Sequence, residues 1–147
     1  MSAVIALGVI LFNCGALFHF YGLRYLARTI DPNLHPIRCF VFSVQFIILS
    51  HLMIAMAFAV AFQVLEDGWQ LGSLVRSDGK PVLFTDRFYF SLVNYTTLGR
   101  GDINPTGQLR ILAAMEAFLG FLVITGSGAF LMRVIMGKKL LDTNDRR

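Results

Sequence analysis

Charge is what this sequence has least of. Asp, Glu, Lys and Arg together make up 15% of its 147 residues, while 56% are hydrophobic and the mean hydropathy is +0.65. A soluble domain of this length cannot hide so much apolar surface, so a membrane class follows. Cysteine is scarce as well. Cys14 and Cys39 stand alone at a spacing that fits no metal motif, and both read as packing residues in or beside apolar runs. No Ser-His-Asp grouping, paired carboxylates or metal-ligand cluster is present, so an enzyme is not expected and no organic cofactor is implied. The N-terminus lacks a positive n-region and a small-residue cleavage site, and is expected to be a retained helix rather than a signal peptide. The basic excess, +4 with a pI of about 9.4, sits beside apolar runs. It therefore reads as membrane orientation, with a lipid bilayer and no nucleic acid as partner.

Three apolar segments remain: about Val4 to Tyr21, Phe40 to Leu65 and Ile111 to Ile135. Each meets the roughly 17–25 residues that a helix needs to span hydrocarbon. Arg24, Arg28 and Arg38 lie between the first two, and Arg133, Lys138, Lys139, Arg146 and Arg147 close the chain. The positive-inside rule makes both regions cytoplasmic, with the N-terminus outside, in a multi-pass protein expected in the plasma (inner) membrane. Asn13 is expected to bond a neighbouring helix. His19 and His35 are expected at the inner interface, and Trp69 as an anchor at the outer one. His51, central in the second span, is either a hydrogen-bonded interior histidine or a pH-responsive group.

Between the second and third spans the chain changes character. Glu66 to Pro81 is polar and reads as an exposed loop. Phe84 to Tyr95 is apolar and aromatic but too short to span, which predicts a re-entrant or buried helix, with Thr85 or Asp86 as N-cap. Thr96-Thr97-Leu98-Gly99-Arg100-Gly101-Asp102 follows, then a turn around Pro105 and Gly107. A short helix, a Thr-x-Gly-x-Gly run and a return outward are what a carbonyl-lined ion site needs. Alternate glycines permit backbone dihedrals that side chains disfavour.

At these residues the chain resembles the two-helix pore-loop potassium channels. Thr97, Gly99, Gly101 and Asp102 match the Thr-Val-Gly-Tyr-Gly-Asp filter, and Phe90 to Gly99 resembles the pore helix and filter entrance of small bacterial ion-channel-like proteins. Arg110 to Ala117, Gly120 and His51-Leu52 extend the similarity over about His51 to Met136. The three apolar runs and the resemblance together predict an all-α membrane protein: three transmembrane helices, of which the channel motif does not explain the first, plus a re-entrant pore helix and filter loop, with the resemblance implying a homotetramer around a central pore. The resemblance also implies a potassium-conducting cation channel with Thr96, Thr97, Leu98, Gly99, Arg100 and Gly101 as filter. Potassium ions would sit at the carbonyls of Thr97, Leu98, Gly99 and Arg100, with Asp102 and Glu116 as support and Gly120 as a gating hinge or a close-packing point. Residues 1–36 would then be an N-terminal transmembrane helix and cytoplasmic loop, 37–137 the pore domain, and 138–147 a short cytoplasmic tail.

Arg100 departs from the pattern, which has an aromatic there. Four guanidiniums facing the axis at about 6 Å would repel a cation by roughly 11 kcal/mol in total at an effective dielectric of about 20. Potassium conduction therefore requires Arg100 to point outward and be paired, with Asp102 or Glu116 as candidates. Glu116 is otherwise expected against the back of the filter or the pore helix. The arginine keeps other readings open: a non-selective, anion-permeable or non-conducting channel relative, and further off an accessory membrane subunit or small transporter.

Overall fold

The computed structural model describes residues 2–30 and 35–137. The expectations placed on Lys138, Lys139, Arg146 and Arg147 lie outside the described residues. Three long helices form the frame: α1 (Ser2–Thr29), α2 (Pro36–Gln63) and α4 (Leu109–Ile135). A short helix, α3 (Phe84–Tyr95), lies between the last two in sequence and packs on both. All three long helices are apolar and long enough to cross a membrane.

Each helix has a local cause. Pro36 opens α2, where its missing N–H costs nothing. The chain after α2 continues through a π-helical turn, Val64–Gly68. The first span reaches further than its apolar run, to Thr29, so Arg24 and Arg28 belong to the last turns of α1 rather than to a loop. Long basic side chains tolerate this because their heads can reach water while their stems stay apolar. α3 begins one residue before the expected caps. Leu83 is its N-cap residue, and Asp86, at the third helical position, accepts a hydrogen bond from the Leu83 N–H at 2.9 Å.

α1 runs antiparallel to α2 and parallel to α4, and it rests in the groove between them. Gly8, Gly15 and Gly22 recur every seven residues along this seam. A Cβ on them would meet Met115, Leu119 and the Phe46 ring respectively. The close approach of three helices therefore depends on small residues at heptad spacing, a common device where lipid gives no hydrophobic drive to association. The core behind it is built from Phe58, Phe62, Leu65, Tyr95, Leu112 and Leu119, all fully buried. Phe62 meets Phe90 edge-on at 5.3 Å.

Two expectations about loops change. The segment after α2 is not wholly loop: β1 (Leu74–Arg76) pairs antiparallel with β2 (Ile103–Pro105), Val75 opposite Asn104. Pro105 therefore ends a strand, and the turn falls on Thr106 and Gly107, the latter at φ +53°. Pairs this short leave no alternation long enough to read in a sequence. Cys39 is buried as expected, but Cys14 is exposed on α1. Asn13 donates to the Val9 carbonyl of its own helix at 2.8 Å, not to a neighbour.

Candidate functional site

The filter-like segment grows directly out of the end of α3. Thr97 N–H donates to the Asn94 carbonyl at 2.9 Å, and Leu98 N–H to the Val93 carbonyl at 3.1 Å. These two bonds are the Schellman pattern that closes a helix, in which the residue after the cap turns left-handed. That residue is Thr97, at φ +59°. Glycine usually takes this position; a β-branched residue there is a backbone outlier and stores strain at the entrance of the loop.

Gly99 follows at φ +54° and Gly101 at φ +75°, while Leu98 and Arg100 between them keep negative φ. Alternating the sign of φ lines up successive peptide dipoles, so that N–H groups gather on one side of the chain and carbonyls on the other. Thr96 through Asp102 are all exposed in the single chain, and Leu98 is 69% exposed. A Cβ on Gly99 or Gly101 would touch nothing. Two carbonyls at the far end of this stretch are already engaged: that of Gly101 accepts from the Asn104 amide at 2.9 Å, and that of Asp102 from a backbone N–H. A cavity of about 270 Å³ lies behind the loop, lined by Tyr89, Val93, Asn94, Arg100 and Asp102 among others.

Glu116, on α4, is fully buried. Its carboxyl bonds the Ser91 hydroxyl and accepts from the Asn94 amide at 2.7 Å, both on α3. Asn94 also donates to the Ala113 carbonyl at 2.8 Å. Ser91 has one hydroxyl proton, yet it also faces the Ala55 carbonyl of α2 at 2.6 Å. Both Ser91 contacts are hydrogen bonds together only when the carboxyl carries a proton of its own. Arg100 makes no ion pair among the described residues, so Glu116 is joined to the helix behind the loop and not to the arginine. Gly120, one turn further on, lies so close to the Tyr95 carbonyl that a Cβ would collide with it. α4 is continuous through this point.

The Asp102 end of the loop is tied by a charged lattice. The Asp102 carbonyl accepts from Ser77 N–H at 2.9 Å. Arg76 pairs with Asp78 at 2.9 Å and with Asp86 at 2.7 Å. The Arg76 guanidinium and the Lys80 amide hold the Asp78 carboxyl down at about 2. Arg87, nearly buried at the start of α3, pairs with Glu66 at 2.9 Å and donates to the Val82 carbonyl. Neither the β1–β2 pairing nor the part played by Arg87 was visible in the sequence, where Glu66 to Pro81 read as an exposed polar loop and Asp86 only as a candidate helix cap. An arginine amid the apolar residues of the short helix is the one signal that could have marked it.

Three membrane-length helices, with a short helix and a glycine-bearing loop held between the last two, define an all-α membrane protein of the channel kind. Residues 50–137, more than half of the chain, match the family model described as "Ion channel", a two-transmembrane, potassium-channel-like domain. The chain belongs to that ion channel family. It is also 32% identical over 92 residues to the uncharacterized membrane protein YdjJ of Bacillus subtilis (strain 168), a match covering 57% of this chain and 27% of the relative. The chain thus spans only about a quarter of that relative's length. No solved structure matches it.

Proposed function

We propose that four copies of this chain surround an axis and conduct monovalent cations, with the carbonyls of Thr97, Leu98, Gly99 and Arg100 as a potassium-selective filter. The alternation of φ sign from Thr97 to Gly101 carries this reading. It is a backbone suited to presenting consecutive oxygens to one ion, and a ring of such loops would replace the ion's water shell. In this reading α3 is the re-entrant pore helix, Thr96 and the Thr97 hydroxyl mark the inner end, and Gly101, its carbonyl held by Asn104, forms the outer rim. Asp102 and Glu116 support the loop from outside and behind. A bend of α4 at Gly120 would gate the pore, and would have to break the contact with Tyr95. The chain would lie in the plasma (inner) membrane with its N-terminus outside.

Arg100 favours a second reading. It is exposed and unpaired among the described residues, so in an assembly that turned it toward the axis it would repel cations and leave a non-selective, anion-permeable or silent pore. Flux from purified protein in liposomes separates the two. The first reading expects potassium to pass at least about tenfold faster than sodium, with chloride excluded, and Arg100→Tyr to keep that order. Chloride flux that Arg100→Tyr abolishes would establish the second reading instead.

A further inference from the structure

The inner half of the helix bundle holds a polar cluster that the filter does not use. His19 of α1 is 4% exposed, not interfacial as its sequence position implied. Its Nδ1 lies 2.9 Å from the Ser50 hydroxyl of α2, and its Nε2 lies 2.9 Å from the Ser127 hydroxyl of α4. His51 Nε2 is 3.2 Å from the same Ser127 oxygen. The two imidazoles are 5.3 Å apart. The His51 ring also packs edge-on against Tyr95, the residue just before the filter-like loop, at 5.5 Å.

Counting protons gives the cluster its meaning. Ser50 and Ser127 are each within reach of a carbonyl of their own helix, Ile47 and Val123, both at 2.8 Å. A serine has one proton to donate. When both hydroxyls donate to their helix carbonyls, both nitrogens of His19 must be donors, and that is the imidazolium. When His19 is neutral, one ring nitrogen is bare and one serine must swing its proton from its helix carbonyl to the ring. The same atoms thus fit two states that differ by one proton and one hydroxyl rotation.

The surroundings limit the site to one proton. His51 faces His19 from α2, Tyr95 faces His51 from α3, and a second charge on His51 would sit directly beside the first. Glu116 of α4 is occupied by Ser91 and Asn94 and bonds neither imidazole. Among the described residues no carboxylate pairs with either ring, so no ion pair fixes the charge state. Charge-assisted bonds are shorter and stronger than neutral ones, so a protonated His19 grips α2 through Ser50 and α4 through Ser127 more firmly than a neutral one.

We propose that His19 is a one-proton switch that, on acidification, clamps α1 and α2 to the inner half of α4 and lowers ion flux. The flux part rests on the channel reading; the proton site does not. The test uses the full chain in liposomes. Potassium uptake is expected to fall about fivefold or more between about pH 7 and about pH 3.5, along a single-proton curve, because a buried imidazole beside a second one and without a carboxylate partner takes its proton only in more acid solution than a free one. His19→Gln and Ser127→Ala are each expected to flatten it. In parallel, nitrogen NMR of the labelled wild-type imidazoles should show His19 passing from one N–H to two across that range. A His19 that keeps one protonation state throughout overturns the proposal. So does a titrating His19 whose loss leaves the pH profile of flux unchanged. If no ion passes at any pH, the channel reading fails while the imidazole spectrum still decides the proton site.

Discussion

Glu116 and Thr97 show how much of this site is decided by single atoms. Glu116 joins two helices through two short contacts, and its worth lies in satisfying buried polar groups rather than in any charge pair with Arg100. Glu116→Ala would leave the Asn94 amide and the Ser91 hydroxyl short of a partner, at a cost of about 1–3 kcal/mol. Glu116→Gln offers a donor to Ser91 and an acceptor to Asn94, so it should stay close to wild type. Thermal unfolding of the detergent-solubilised protein checks this pair: a lowered midpoint for alanine, little change for glutamine. Thr97 carries the left-handed turn that closes α3. Sequence alone placed it in the loop through its neighbours but gave no warning of its conformation, because β-branched residues avoid that region.

Among the elements, α3 was the most legible. Its apolar run is too short for a span and is bracketed by polar residues, and the helix occupies Phe84–Tyr95 as that pattern predicts. The β1–β2 strap was not legible, since each strand is three residues long and the pairing joins segments far apart in sequence. His19 was misplaced for a different reason. A polar residue near the end of an apolar run looks interfacial until a helix from elsewhere brings it hydroxyl partners, here Ser50 and Ser127. The strap itself responds to acid. Asp78 is held at about 2 by Arg76, below the ordinary carboxylate value of 3.8. Its stabilising contribution is therefore complete above that ordinary value and is lost as pH falls toward about 2. The pair is exposed, so the effect is local. Amide exchange at Val75 and Asn104, referenced to unstructured peptides, should lose protection as pH falls through this window. Arg76→Ala should remove the protection difference between neutral and acidic pH.

As a whole molecule, the chain leaves most of its apolar surface uncovered by itself. Within their most apolar stretches only 22% of α1, 39% of the span from Pro36 to Gly68 and 28% of α4 is buried inside the chain. The rest must meet lipid or other copies, because exposure of Phe121, Leu122 and Ile124 to water would be costly. α1 stands apart from the matched channel region, which begins at residue 50, yet it fills the groove between α2 and α4 through Gly8, Gly15 and Gly22. The matched channel region is thus packed against a helix that lies outside the match.

The parallel course of α1 and α4 has a practical corollary. Three crossings, an odd number, would open Ser2 and Ile135 onto different aqueous compartments. An alkaline phosphatase reporter, which matures only outside the cytoplasm, is expected to be active when joined ahead of α1 and silent when joined after α4. Equal activity at both junctions would mean that one of the three long helices never crosses.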